Sequence, residues 1–222
     1  LYSSAASDVY KRQGQGRCLE SEVYKMTKNV LLCGVGGQGT VLASRLIALA
    51  AMEKGMEARG AETIGMAQRG GSVVSHVRIG EEIYSPLIPH GGADVIIGFE
   101  PAEAVRCLPY LKKGGCVVVS PAPIRPVTAS LTGGAYTGRE MMEYLEHAGE
   151  NLVVVDAASI GMECGSPKVM NVALLGAAIA SGLIGISLEE MEAAIEKRVP
   201  EKFKDMNMKA LKLGAAASAM IR

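Results

Sequence analysis

The chain has no tryptophan and only two phenylalanines among its 222 residues. Aromatics make up 4% and hydrophobic residues 49%, so a core must be assembled from Val, Ile, Leu, Ala and Met. There is no excess of either charge, because 23 basic and 23 acidic residues cancel. That balance leaves no electrostatic footprint for nucleic acid. No apolar run reaches the ~18 residues of a membrane helix. The nearest, 172–186, is interrupted by Gly176, Ser181, Gly182 and Gly185 and reads as a buried helix with its exit turn.

Paired cysteines are missing as well. Cys18, Cys33, Cys107, Cys116 and Cys164 form no C-x-x-C motif. Local iron–sulfur or zinc ligation is therefore not expected. An odd, scattered set suits reduced thiols in the cytoplasm. His76, His90 and His147 lack zinc-ligand spacing, so no metal site is expected. There is no G-x-S-x-G elbow, no H-E-x-x-H and no Walker lysine. The chain therefore has no catalytic set of its own, which points to a subunit that completes a site housed elsewhere.

Residues 1–13 (LYSSAASDVYKRQ) carry neither an initiator Met nor an apolar signal-peptide region. Residues 1–25 are expected to be a non-native or disordered leader, with the native start between Arg17 and Met26. One domain is expected over 26–222.

From there, strands alternate with helices. Apolar strands are expected at 29–33, 58–64, 94–99, 116–120 and 152–156. Helices are expected from Gly39 to about Lys54, from Pro101, at 139–147, at 169–183, after Ser187 and over 204–220. The first helix is expected to bury Leu42, Leu46 and Leu49. Pro101 suits a first helical turn. Ser187 and Glu190 fit a capping box. Residues 72–79 alternate in polarity, which predicts a half-exposed antiparallel strand. A turn at Gly80-Glu81-Glu82 is expected to return it over 83–88. The class is α/β: a Rossmann-like, mostly parallel sheet with a β-hairpin insertion and helices on both faces.

Two glycine-rich segments stand out. Gly34-x-Gly36-x-x-Gly39 lies between a strand and a helix, the context of a dinucleotide fingerprint. A helix N-terminus offers free N–H groups and a positive dipole end to an anion. The confirming acidic residue, about 20 residues on, is missing: Lys54 stands there, flanked by Glu53 and Glu57, with Glu62 too late. A nicotinamide-binding oxidoreductase, an adenylating fold suggested by Gly36-Gly37, and a tight turn that binds nothing all stay open. The second segment is Gly65-Met66-Ala67-Gln68-Arg69-Gly70-Gly71-Ser72. Arg69 can grip a carboxylate or phosphate through two parallel hydrogen bonds. Met66 offers a soft apolar contact. Read blandly, this is a turn with one solvated arginine.

These residues resemble a known family. GVGGQG after Met26-Thr27-Lys28-Asn29, GMAQRGGSVVSHVR at 65–78 and YSPLI at 84–88 are similar to the gamma-type domain of the 2-oxoacid:ferredoxin oxidoreductases. So are ADVIIGFEPAEAVR at 93–106, KKGGCVVVS at 112–120, VVVDA at 153–157, KVMNVALLGA at 168–177 and VPEKFKDMNMKAL at 199–211. Within that family they look like the small subunits of the indolepyruvate enzymes. GMAQRGGSV and VPEKF are far more specific than GxGxxG.

The resemblance implies oxidative decarboxylation of an aryl 2-oxoacid, with coenzyme A as co-substrate and ferredoxin as electron acceptor. Pyruvate, branched-chain acids and 2-oxoglutarate are alternative substrates, and a regulatory module without a catalytic partner is a further alternative. Thiamine diphosphate, Mg and iron–sulfur clusters are expected on a large partner subunit. The chain itself lacks G-D-G with a distant Asn-Asn. Family members often carry His where this chain has Ile64, so no role of that histidine transfers. Gly34, Gly36, Gly37, Gln38 and Gly39 are expected to lie beside Gln68, Arg69, Gly70, Gly71 and Ser72 at the carboxyl ends of the strands. Together they would rim the partner's thiamine site or guide coenzyme A phosphates. Met66, Glu100, Glu103 and Arg106 are candidate partner contacts, against a plain solvated helix face. Asn171 reads as a structural hydrogen-bonder.

Overall fold

The computed structural model describes residues 27–64, 70–125, 136–148 and 151–219. The expected leader lies outside the described residues. The element order is β1 (Lys28–Val35), α1 (Thr40–Glu53), β2 (Glu57–Ile64), β3 (Ser72–Gly80), β4 (Ala93–Gly98), α2 (Pro101–Cys107) and β5 (Leu111–Val119). Then come α3 (Arg139–His147), β6 (Asn151–Val154), α4 (Ala157–Glu163), α5 (Met170–Ala180), α6 (Leu188–Arg198) and α7 (Glu201–Ala219).

One six-stranded sheet runs in the order β2-β3-β1-β4-β5-β6. The pairings β1–β4, β4–β5 and β5–β6 are parallel, whereas β3 is antiparallel to both β1 and β2. Strand side chains alternate between two cores. Val30, Leu32, Val77, Val95, Ile97 and Val118 pack with α1, α5, α6 and α7. Leu31, Cys33, Ile96, Val117 and Val119 pack with α2 and α3 on the opposite face. Covering both faces explains why the central strands read as continuous apolar runs.

Several expectations need correction. Residues 72–79 are not half-exposed: β3 lies inside the sheet, with Ser75, His76 and Val77 buried. Its polar side chains mostly find internal partners. His76 Nδ1 accepts from the Ile88 N–H at 3.2 Å. Arg78 donates to Asn29 Oδ1 and to the Ser85 carbonyl, both at 2.9 Å. The return strand over 83–88 does not form. Pro86 has no ladder N–H, and the segment is tied down by those contacts instead. The hairpin is made by β2 and β3, joined through 65–71. In α1 the buried stripe is Ala43, Leu46, Ile47 and Ala50, while Leu42 and Leu49 are only partly buried. β6 is a half-buried edge strand rather than a buried one. The Ser187–Glu190 capping box is present.

α5 carries a nearly all-apolar surface and is sandwiched between the sheet and α7. The two helices meet backbone to backbone. A Cβ on Gly176 would overlap the Leu211 carbonyl, and one on Gly214 would overlap the Ala173 carbonyl. Neither overlap involves a flexible side chain that can move away. Gly214→Ala is therefore expected to cost about 1–3 kcal/mol through overpacking, seen as a lower urea midpoint with an unchanged m-value.

His76 gives a second expectation. Burial holds its imidazole below the usual 6.5. The unfolded chain binds a proton near 6.5 while the folded chain does not, so stability falls as pH drops below that value. The limiting slope is about 1.4 kcal/mol per pH unit. His76→Gln keeps an acceptor for Ile88 and is expected to flatten the pH dependence of the melting temperature between pH 6.5 and the depressed pKa.

Candidate functional site

α1 leaves the end of β1 toward one face of the sheet, and α2 leaves the end of β4 toward the other. Such a divergence opens a crevice at the carboxyl ends of the strands, where α/β folds bind ligands. The chain builds this crevice from three connections.

The first is the glycine loop. Gly39 is the N-cap of α1 at φ 84°, and a Cβ there would lie 2.5 Å from Asn171 Nδ2. Gly39 has no side chain with which to cap this helix, and the first turn holds no acidic residue. The first N–H groups and the positive dipole end are therefore uncompensated by any carboxylate of that turn. Gly37 sits at φ 104° with nothing within 4 Å of a Cβ position, so backbone is presented openly there. Asn171 is structural: Nδ2 donates to the Gly39 carbonyl at 3.3 Å, and Oδ1 accepts from Val172 N–H at 2.8 Å.

Gln38 is occupied differently from the sequence-based expectation. Its Oε1 accepts from Val35 N–H at 2.7 Å, and its Nε2 donates to the Phe99 carbonyl at 2.9 Å. The amide bridges the ends of β1 and β4 and has both ends engaged. Gly34 beneath it has no room for a side chain: a Cβ would lie 2.7 Å from Gln38 Oε1 and 2.8 Å from Phe99 Cβ.

The second connection joins β2 to β3. Gly36 N–H donates to the Gly71 carbonyl at 2.9 Å, and Val35 lies opposite Ser72 in the ladder. The structure thus brings Gly36 and its neighbours next to Gly71 and Ser72. Met66, Gln68 and Arg69 lie outside the described residues.

The third connection follows β4. Glu100 caps α2 by accepting from Glu103 N–H at 3.1 Å, and the Tyr136 hydroxyl donates to its other oxygen. Glu103 accepts from Ser72 Oγ at 2.6 Å and from Arg106 Nη1. The two acids are only 2% and 5% exposed. They were expected to meet a partner, but their oxygens face inward and are taken by neighbouring groups. Of that trio only Arg106 is exposed. Tyr136 escaped the sequence reading altogether, because a tyrosine in an irregular proline-rich stretch has no periodicity to mark it. Burial, reinforced by the Glu100 carboxylate, pushes its phenol well above the usual range.

The strand order also bears on the dinucleotide alternative. A nicotinamide fold places a parallel strand beside β1, with an acidic residue at its end for the ribose. Here antiparallel β3 is interposed, and the ladder position beside the end of β1 belongs to Ser72. Among the described residues, no group of three His, Cys, Asp or Glu side chains is placed to hold a metal ion. No described helix is long and apolar enough to cross a membrane. What the crevice offers is backbone N–H donors on a rigid frame.

Loss of the Gln38 bridge strands a backbone donor and a backbone acceptor at the centre of the site. Gln38→Ala is expected to destabilise the fold by about 1–3 kcal/mol, and amide exchange at Val35 should accelerate measurably.

Comparison with known proteins accords with this geometry. The chain is 40% identical over 192 residues to the "Indolepyruvate oxidoreductase subunit IorB" of Thermococcus kodakarensis, covering 86% of this chain and 95% of that one. It is 30% identical over 187 residues to the "Pyruvate/ketoisovalerate oxidoreductases common subunit gamma" of Pyrococcus abyssi, covering 80% and 89%. The crystal structure of the keto/oxoacid ferredoxin oxidoreductase gamma subunit from Geobacter sulfurreducens PCA superposes with a TM-score of 0.65 at 25% identity, over 87% of this chain and 99% of that one. The family model for pyruvate ferredoxin/flavodoxin oxidoreductase matches residues 29–217. The chain belongs to the pyruvate ferredoxin/flavodoxin oxidoreductase family.

Proposed function

We propose that this chain is the small subunit of an indolepyruvate-type 2-oxoacid:ferredoxin oxidoreductase. The reaction converts an aryl 2-oxoacid, coenzyme A and oxidised ferredoxin into aryl-acyl-coenzyme A, carbon dioxide and reduced ferredoxin. The observation that carries this reading is the gradient of similarity: 40% identity to the IorB subunit against 30% to the common gamma subunit.

The geometry supports an accessory role. The crevice holds a frame of backbone donors, and its two carboxylates are already engaged by Ser72, Tyr136, Arg106 and the α2 backbone. Thiamine diphosphate supplies the carbanion chemistry when bound, and we assign it, with Mg and the iron–sulfur clusters, to a large partner subunit. The free N-terminus of α1 and the open Gly37 backbone suit an anionic or carbonyl group at the junction with that partner. Coenzyme A phosphates fit that chemistry. Arg69 lies outside the described residues, and its guanidinium is the cation we assign to gripping such an anionic group. Exposed Arg106 meets the partner. We place the complex in the cytoplasm, on the ground of the free thiols of Cys33, Cys107, Cys116 and Cys164.

Reconstitution tests the proposal. The isolated chain is expected to reduce neither ferredoxin nor viologen with indolepyruvate and coenzyme A. Addition of the large subunit should restore turnover. Activity of the chain alone would sink the accessory reading. Arg69→Ala should lower activity of the complex at least tenfold, about 1.4 kcal/mol, with the large subunit still bound on gel filtration.

A further inference from the structure

A cavity of about 380 Å³ opens between α1 and the β2–β3 pair. Ser44, Arg45 and Ala48 of α1 line one side, and Gly60, Glu62 and Val77 line the other. None of them belongs to the crevice at the strand ends. Gly60 makes the space. β2 keeps unbroken register with β3 from Glu57 to Ile64, so this glycine serves no bulge. Its φ lies outside the left-handed region, so no turn requires it. A Cβ there would meet only the His76 carbonyl, at 3.4 Å, an ordinary contact. A glycine inside a regular strand costs stability and marks close approach by a ligand or another backbone. No α1 atom comes within 4 Å of that Cβ position, so the space is left for a ligand.

The polar groups around this space lack partners. Ser75 lies opposite Glu62 in the ladder and two residues before Val77, so its side chain is on the cavity face of the sheet. It is fully buried, and its Oγ is the one buried side-chain polar atom among the described residues without a hydrogen bond. A buried polar atom left in that state points to a group that the fold alone does not supply. Ser44 Oγ donates to the Val41 carbonyl at 2.9 Å and keeps its lone pairs. Arg45 and Glu62 are exposed, and neither forms an ion pair among the described residues. Farther along α1 the charges are matched: Glu53 pairs with Lys197 at 2.6 Å and Lys54 with Glu190 at 3.0 Å.

We propose that this cavity binds a free α-amino acid with an apolar side chain. The ligand carboxylate takes the Arg45 guanidinium through two parallel hydrogen bonds. Its ammonium takes the Glu62 carboxylate. Opposite charges that line one cavity without reaching each other fit a zwitterion, whereas Glu62 disfavours a phosphate or a lone carboxylate. The side chain lies along Ala48 and Val77, over the bare backbone of Gly60. The Ser75 hydroxyl gains its missing partner from a polar group of the ligand. The volume falls at the small end of the range for ligand pockets. An occupant there joins α1, which begins at the glycine loop, to the edge of the sheet.

The test uses the full chain, isotope-labelled for amide NMR. L-phenylalanine, hydrocinnamate and phenethylamine are each titrated to about 10 mM. Hydrocinnamate keeps only the carboxylate and phenethylamine only the ammonium. L-phenylalanine is expected to move the amide signals of 44–48, 60–62 and 75–77. Each single-charge analogue should bind at least about tenfold more weakly. Arg45→Ala and Glu62→Gln should each weaken L-phenylalanine at least about tenfold, and as exposed positions both leave the fold intact. Ser75→Ala should weaken it at least about threefold without lowering the melting temperature, because the hydroxyl bonds to nothing in the fold. Absence of shifts at about 10 mM would overturn the proposal. So would equal binding of either analogue, unchanged affinity in any of the three variants, or displacement of L-phenylalanine by coenzyme A.

Discussion

One side-chain amide holds the ends of the two central parallel strands together. Gln38 answers a backbone donor at the end of β1 and a backbone acceptor just past β4. It adds to the main-chain bond from the Phe99 N–H to the Cys33 carbonyl at 2.8 Å, and it carries the connection past the strand ends into the two loops that lead to opposite faces of the sheet. The neighbouring choices follow from that bridge. Gly34 has no side chain because the amide and Phe99 occupy its space. Gly39 turns the chain into α1 against Asn171, which is itself committed to the Gly39 carbonyl. The crevice is therefore rigid at its base and open at its rim, as a site that positions groups supplied by another subunit requires.

The parts of the fold that were legible in the sequence are those specified locally. Pro101 at the start of α2, the capping box at Ser187 and the strand–glycine–helix passage at 30–40 depend on residues within one or two turns of each other. The position of β3 was not legible, because periodicity reports which faces of a strand are covered and not which strand lies beside it. His76 and Arg78 looked solvent-facing for the same reason: an acceptor for a main-chain N–H and a guanidinium that ties down a loop are invisible until the loop is placed. Glu100 and Glu103 show the limit most clearly. On a short helix with an arginine they read as a wet surface, but their partners Ser72 and Tyr136 lie 31 and 36 residues away. The family resemblance rested on longer strings than any single element and survived these local errors.

The electrostatics of the crevice follow one pattern. Negative charge is neutralised inward, by Arg106 and by hydroxyl and amide donors, while the positive end of α1 is left without a carboxylate in its first turn. The two acids frame the site without lowering its potential as exposed carboxylates would. An anionic group arriving with a partner or substrate thus meets donors first.

The close crossing of α5 and α7 has a consequence for how the chain is made. α5 is apolar on nearly every side, and α7 supplies the largest share of the cover over the surface that the sheet leaves open. Roughly 40 residues separate Gly176 from Gly214, which takes about 2–8 s to synthesise at 5–20 residues per second. For that interval the newborn chain carries an oily helix without its main lid, while the sheet behind it can already form. The order of the helices, rather than the stability of the finished fold, thus sets how long that apolar surface waits for its cover.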